Sequence, residues 1–92
     1  MEISIYSQRV SKNIEFMNGV KEKYNCKCMV LFRCGDYYET YGEYAEDCAQ
    51  QLGLVLRNDE GILSVAFPHF QLDVYLPKLV RKGYRVAIAD GE

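Results

Sequence analysis

Much of what would announce an activity is missing from these 92 residues. No apolar run approaches the roughly 20 residues that a membrane-spanning helix needs, and no charged-then-apolar leader opens the chain. The expectation is a soluble, cytoplasmic protein with no membrane partner. There is no low-complexity stretch and no internal repeat. The Gly-x-x-x-x-Gly-Lys-Ser/Thr loop that cradles phosphates is absent, and so is a serine elbow. His69 is the only histidine and has no cysteine at catalytic or metal-binding spacing. A histidine that follows a proline in this way reads as a loop or surface residue. Asp36, Glu39 and Asp47 could be imagined as a metal-dependent nuclease cluster, but no acid-x-Lys arrangement follows on a neighbouring strand. No enzyme is expected here, and no catalytic residue, cofactor or metal site.

The four cysteines are Cys26, Cys28, Cys34 and Cys48. Without a secretory leader they read as free thiols rather than a disulfide framework. One Cys-x-Cys pair with two scattered cysteines is poor spacing for zinc.

What is present is an ordinary globular balance, 49% hydrophobic and 26% charged. It fits a single domain over residues 1–92 with one modest core. Charge is uneven along it. Residues 1–34 carry a net +3, residues 35–60 a net −6 and residues 61–92 a net +1. A protein that binds DNA unaided needs a basic face, because phosphate neutralisation supplies most of the affinity. The acidic middle third argues against tight binding by this chain alone.

Hydrophobic periodicity divides the chain into helices and strands. Ile3 and Ile5 alternate with polar neighbours, which fits a short strand over residues 2–6. Ser11 reads as the N-cap of a helix over residues 11–24, with Ile14, Met17, Val20 and Tyr24 at nearly helical spacing. The near-continuous apolar run of residues 27–33 reads as a central strand covered on both faces. A second strand over residues 37–40 follows Gly35 and Asp36. Tyr41, Ala45, Cys48, Ala49 and Leu52 then share one narrow face of a helix over residues 42–52, with Glu43, Glu46 and Asp47 opposite and Gly53 as its stop. Residues 54–57 read as a strand, 58–61 as a turn and 62–67 as the returning strand. Leu72, Tyr75, Leu76, Leu79 and Val80 give a helix over residues 71–82. Pro77 is awkward for that helix, so it is expected to start late, with Asp73 as N-cap, or to bend between Asp73 and Pro77. Gly83 stops it, and residues 84–89 form the last strand. The fold class is therefore α/β, a mixed sheet covered by about three helices.

The stretch that the rest is arranged to present is residues 31–41. Side chains alternate along an extended chain, so Tyr37 and Glu39 share one face, and Tyr38 and Thr40 take the other. A ring that can stack and a carboxylate that can accept a hydrogen bond make a compact reading head, and Gly35 keeps bulk away from an approaching partner. Composition alone favours a packed strand tyrosine beside a solvated edge charge, because aromatic-rich strands are common.

Arg33-Cys34-Gly35-Asp36-Tyr37-Tyr38-Glu39 resembles the R-M-G-D-F-Y-E signature of the N-terminal mismatch-recognition domain (domain I) of the MutS family of DNA mismatch repair proteins. Residues 41–54 resemble the helix that follows it there. Phe67-Pro68, then Tyr75-Leu76-Pro77-Lys78-Leu79-Val80, Gly83 and Val86-Ala87-Ile88, resemble the family's I-P-Y-H…Y-L-A-K-L-V…G…V-A-I in the same order. The resemblance covers about residues 29–90. It implies the same α/β architecture and a minor-groove reader of mismatched duplex DNA. The aromatic residue that wedges beside the mispaired base would be Tyr37, and the glutamate that hydrogen-bonds it Glu39. Arg33, Arg57, Lys78, Arg81 and Lys82 are the candidate phosphate contacts. Three departures stand out. Tyr replaces the family's Phe at 37, Phe70 stands where the family has its histidine, and the connection over residues 58–61 is short and acidic rather than long and basic. No ATPase, clamp or dimerisation region is present, so no ATP-driven step is expected of this chain by itself.

Two classes of function follow. One is a DNA-binding module that takes duplex DNA, mismatched DNA in particular. The other is a protein-interaction module, or a non-reading paralogue that kept the fold, docked on a larger DNA-processing complex. Tyr37 with Glu39 favours the first and the acidic residues 35–60 the second. Thiol titration of the denatured, non-reduced protein is expected to find four free cysteines, and stoichiometric zinc in the purified protein would contradict that reading.

Overall fold

Met29, Val30, Leu31 and Phe32 are all buried, although consecutive strand residues point to opposite sides. A strand with that pattern must have a helix layer on each face, and this one does. The computed structural model describes residues 5–24 and 28–90. Its elements run α1 (Ile5–Tyr24), β1 (Cys28–Cys34), β2 (Tyr37–Tyr41), α2 (Glu43–Leu52), β3 (Arg57–Asp59), β4 (Ile62–Pro68), a 3-10 turn (His69–Gln71), α3 (Leu72–Arg81) and β5 (Arg85–Asp90). The five strands form one sheet in the order β3-β4-β2-β1-β5. β5 runs parallel to β1, and every other neighbouring pair is antiparallel. This is the mixed α/β sheet with three helices that the periodicity predicts.

The two faces differ in their cover. Tyr38 and Phe67 lie on the side of α2 and α3, where Phe67 meets Tyr75 of α3 edge to face, with ring centroids 5.0 Å apart. Phe32 and Tyr41 lie on the other side, where Phe16 of α1 meets Phe32 edge to face at 6.0 Å. One helix therefore guards a face of five strands, and part of that face stays open. No helix among the described residues is long and apolar enough to cross a membrane.

α1 begins earlier than expected. Residues 5 and 6, assigned above to a strand, are helical, and the rest of that strand lies outside the described residues. Ser11 is an exposed interior position rather than an N-cap. The cause is Val10, fully buried, which carries the inward stripe back a turn before Asn13, Ile14, Met17 and Val20. Tyr41 is also corrected: it ends β2 instead of opening the face of α2. Gly42, at φ 66°, breaks the chain between them, and Tyr44 joins Ala45 and Cys48 on the buried face of α2. Gly53 in the left-handed region closes α2, with the Leu54 amide donating to the Ala49 carbonyl at 3.0 Å. Burial, with the Asp47 charge adding, pushes the Cys48 thiol up to about 11.

The β3–β4 hairpin is tighter than the four-residue turn read over residues 58–61. Asn58 and Asp59 are in β3, and only Glu60 and Gly61 make the turn, both at positive φ. The Asn58 side-chain oxygen accepts the Gly61 amide at 2.9 Å and holds that geometry. The strand expected over residues 54–57 shrinks to Arg57 at its end, and Val55 stands 82% exposed before it.

Pro77 does not delay α3. The helix starts at Leu72 straight out of the 3-10 turn and runs through Pro77, so Asp73 sits in its first turn and is not its cap. The apolar side of α3, with Leu79 fully buried, holds the helix on the sheet, while Pro77 faces solvent. The carbonyl that proline leaves without its helical partner can therefore be hydrated. Proline in a helix interior is unfavourable by about 3 kcal/mol relative to alanine. Pro77→Ala is accordingly expected to raise stability by about 1–3 kcal/mol, read as a higher urea midpoint with an unchanged slope.

Candidate nucleic-acid interface

The site is built on the β1–β2 hairpin. Cys34 pairs with Tyr37, so Gly35 and Asp36 are the whole loop. Gly35 takes φ 63°, as the first central position of such a two-residue turn requires, and the space beside it is open. The Asp36 carbonyl accepts the His69 amide at 2.8 Å, which ties the end of β4 to the same turn. The first side chain after the turn is Tyr37, 50% exposed. Glu39 follows two residues on, half-buried on the same face, between Phe32 of β1 and Ala66 of β4 in the ladder. The small Ala66 leaves room there. Tyr37, Glu39, Leu54, Val55, Arg57 and Ala66 line an open groove of about 510 Å³. It offers one aromatic ring, one carboxylate, one guanidinium and apolar walls.

The five candidate phosphate contacts are not on one surface. Arg57 lines the groove and makes an exposed ion pair with Asp59 at 3.5 Å. Exposed pairs of this kind are worth about 0–1 kcal/mol, so Arg57 can be released to another anion. Arg33 pairs with Tyr38 in the ladder and therefore takes the α2/α3 side. Its Nε donates to the Gly35 carbonyl at 2.6 Å, and its guanidinium sits 5.7 Å from the Tyr38 ring centroid. Lys78 lies 5.9 Å from the Tyr75 ring on α3. Arg81 and Lys82 end α3, about 15 Å along the helix axis from its start beside the hairpin turn. Lys82 lines a different hollow, with Glu43, Asp47 and Tyr84.

Two residues of the site escape a reading by motif. Tyr41 is fully buried on the face of Tyr37 and Glu39, and its hydroxyl donates to Glu39 Oε2 at 2.7 Å. Asn13 of α1, 3% exposed, donates from Nδ2 to the same hydroxyl oxygen at 3.0 Å. The period-two spacing of Tyr37, Glu39 and Tyr41 was the signal for the first. Asn13, a polar residue within an apolar helix stripe, was the signal for the second. Burial pushes the Tyr41 phenol far above its ordinary value. The Asn13 hydrogen bond opposes this, and the bond to Glu39 with its charge adds to it. The folded-state value is raised, so the associated stability is complete below the unfolded phenol's value of about 10 and is lost as pH rises beyond it. Tyr41 is therefore expected to ionise in alkali only as the fold opens, seen as tyrosinate absorbance that appears together with loss of circular dichroism.

Sequence comparisons identify the family. A model of the family MutS domain I matches residues 12–92, which takes the match back through most of α1 beyond the 29–90 of the motifs. The DNA mismatch repair protein MutS of Christiangramia forsetii is 48% identical over 88 residues, 91% of this chain and 10% of the relative. That of Flavobacterium johnsoniae is 42% identical over 91 residues, 90% of this chain and 10% of the relative. In Thermosipho melanesiensis the protein of that name is 43% identical over 72 residues, 78% of this chain and 9% of the relative. The chain spans about a tenth of the length of these curated relatives. With a family model matched over nearly its whole length, the chain belongs to the MutS domain I family.

Proposed function

We propose that the chain is a non-catalytic DNA-binding module of mismatch repair, and that it reads a mispaired step from the minor groove with Tyr37 and Glu39. The observation that carries this is the pairing of a half-exposed ring with a carboxylate on the same face, opening on a groove that Arg57 also lines. Mismatched steps unstack at low cost, and a side chain inserted at a kink exploits that. Stacking of one base on the ring supplies about 1–3 kcal/mol. Glu39 accepts a hydrogen bond from the displaced base, and Arg57 meets a phosphate. The half-exposed position also lets the Tyr37 hydroxyl stay hydrated where the family has Phe. The relatives are named as DNA mismatch repair proteins, and this chain spans about a tenth of their length.

A second reading, a protein-interaction module in a larger DNA-processing complex, is favoured by one observation. Residues 35–60 carry a net −6, and three of the five candidate cations sit on α3, away from the groove. Titration with matched and mismatched duplexes at low salt separates the two. The DNA reading expects weak binding with a mismatch preference that Tyr37→Ala removes. Arg57→Ala should weaken both duplexes alike and lower the salt slope by about 1. Glu39→Ala should strengthen binding to the matched duplex, because it deletes a negative charge near phosphates. No binding to either duplex at low salt, or a preference that survives Tyr37→Ala, would favour the interaction module.

A further inference from the structure

We infer that Asn13 and Tyr41 are positioning residues for recognition, a buried pair that holds Glu39 as an oriented hydrogen-bond acceptor toward the base and so sets mismatch specificity from beneath the groove. The inference rests on the reading of Tyr37 and Glu39 given above.

A phenol hydroxyl has one proton to donate and lone pairs to accept with. The Asn13 amide donates into the Tyr41 oxygen at 3.0 Å, so the tyrosine proton has to serve another acceptor. That acceptor is Glu39 Oε2, 2.7 Å away. The chain thus has a direction, from amide to phenol to carboxylate. An ionised carboxylate has about four lone-pair positions, so acceptance from Tyr41 leaves capacity for a donor on a base.

Packing by itself does not explain the arrangement. Tyr41 is fully buried against Phe32, with ring centroids 5.7 Å apart, and a phenylalanine would fill that space without a polar atom to satisfy. Asn13 occupies an inward position on the stripe of Val10, Ile14 and Met17, where an apolar residue would serve the core. Burying a polar group is unfavourable unless it is bonded. Here two such groups, from a helix and a strand 28 residues apart in sequence, link in series, and the series ends on one carboxylate at the edge of the groove. What they fix is the direction of Glu39. Its ladder neighbours Phe32 and Ala66 are apolar and could not do so.

The test is competition binding of the 92-residue chain at low salt to a short duplex with a single G·T mismatch and to its matched counterpart. Tyr41→Phe keeps the ring and should lower the mismatch preference by roughly 3- to 10-fold, with affinity for the matched duplex changed by less than about twofold. In a Glu39→Ala background the same substitution should have no further effect, since its action runs through that carboxylate. Asn13→Ala should act in the same direction to a smaller extent. It also serves as the second probe if Tyr41→Phe shows a lost thermal transition. An unchanged preference in both single variants overturns the inference, and so does an equal loss with and without Glu39. A parent chain with no mismatch preference, or one whose preference survives Tyr37→Ala, overturns the reading head and this inference with it. A preference that needs Tyr37 but is indifferent to Tyr41 and Asn13 overturns the inference alone.

Discussion

Register between β1 and β2 is the constraint on which everything else depends. With a two-residue loop there is one way to pair the strands: Cys34 opposite Tyr37, Arg33 opposite Tyr38 and Phe32 opposite Glu39. A slip by one residue would turn every side chain of β2 over. Tyr37 and Glu39 would then press into the helices α2 and α3, and Tyr38 and Thr40 would face the open side. The same slip would pull Tyr41 away from Asn13. Gly35 at φ 63° and the Asp36–His69 hydrogen bond lock the turn from both ends. The shared face of Tyr37 and Glu39 is thus a by-product of a hairpin that has no freedom to pair otherwise.

The open face also explains why electrostatics and geometry pull apart in this molecule. The ring and the carboxylate are well placed, but the charge around them has the wrong sign for attraction over a distance. Screening limits such fields to about 8–10 Å at ordinary salt, so the basic end of α3 does little for a groove on the other side of the sheet. Under the proposed reading, affinity for DNA would then have to come from contact, from stacking and a directed hydrogen bond, rather than from steering. Such a balance would be poor for holding any duplex and better for telling one duplex from another.

Much of the fold was legible in the sequence, for reasons that particular residues show. The apolar run of β1 needed two covering layers and has them. The face of Ala45, Cys48 and Leu52, closed by Gly53, marked α2 to within a residue, because spacing and cap agreed. The failures occurred where two patterns overlapped. Tyr41 fits a helical spacing with Ala45 and a strand spacing with Tyr37 and Glu39, and only the positive φ of Gly42 decides between them. Pro77 and Ser11 misled because local propensity was weighed above a buried stripe, when tertiary packing of Leu79 and Val10 outweighs it. At the candidate site, the shared face of Tyr37 and Glu39 was legible from alternation. Asn13 was not, since a contact between residues 28 apart leaves no local pattern beyond a polar residue in an apolar row.

The parallel ladder between β1 and β5 has a bearing on how the molecule is made. It joins Cys28 to Arg85 and Arg33 to Asp90, pairs separated by most of the chain. No crossover connection can shorten that loop, and its closure entropy must be met before the ladder gives anything back. Until β5 arrives, β1 presents an unpaired edge with Met29 and Leu31 beside it, the kind of edge that invites another chain. During synthesis the hairpin that carries Tyr37 and Glu39 can therefore form early, while the sheet that keeps it from associating wrongly closes only with β5.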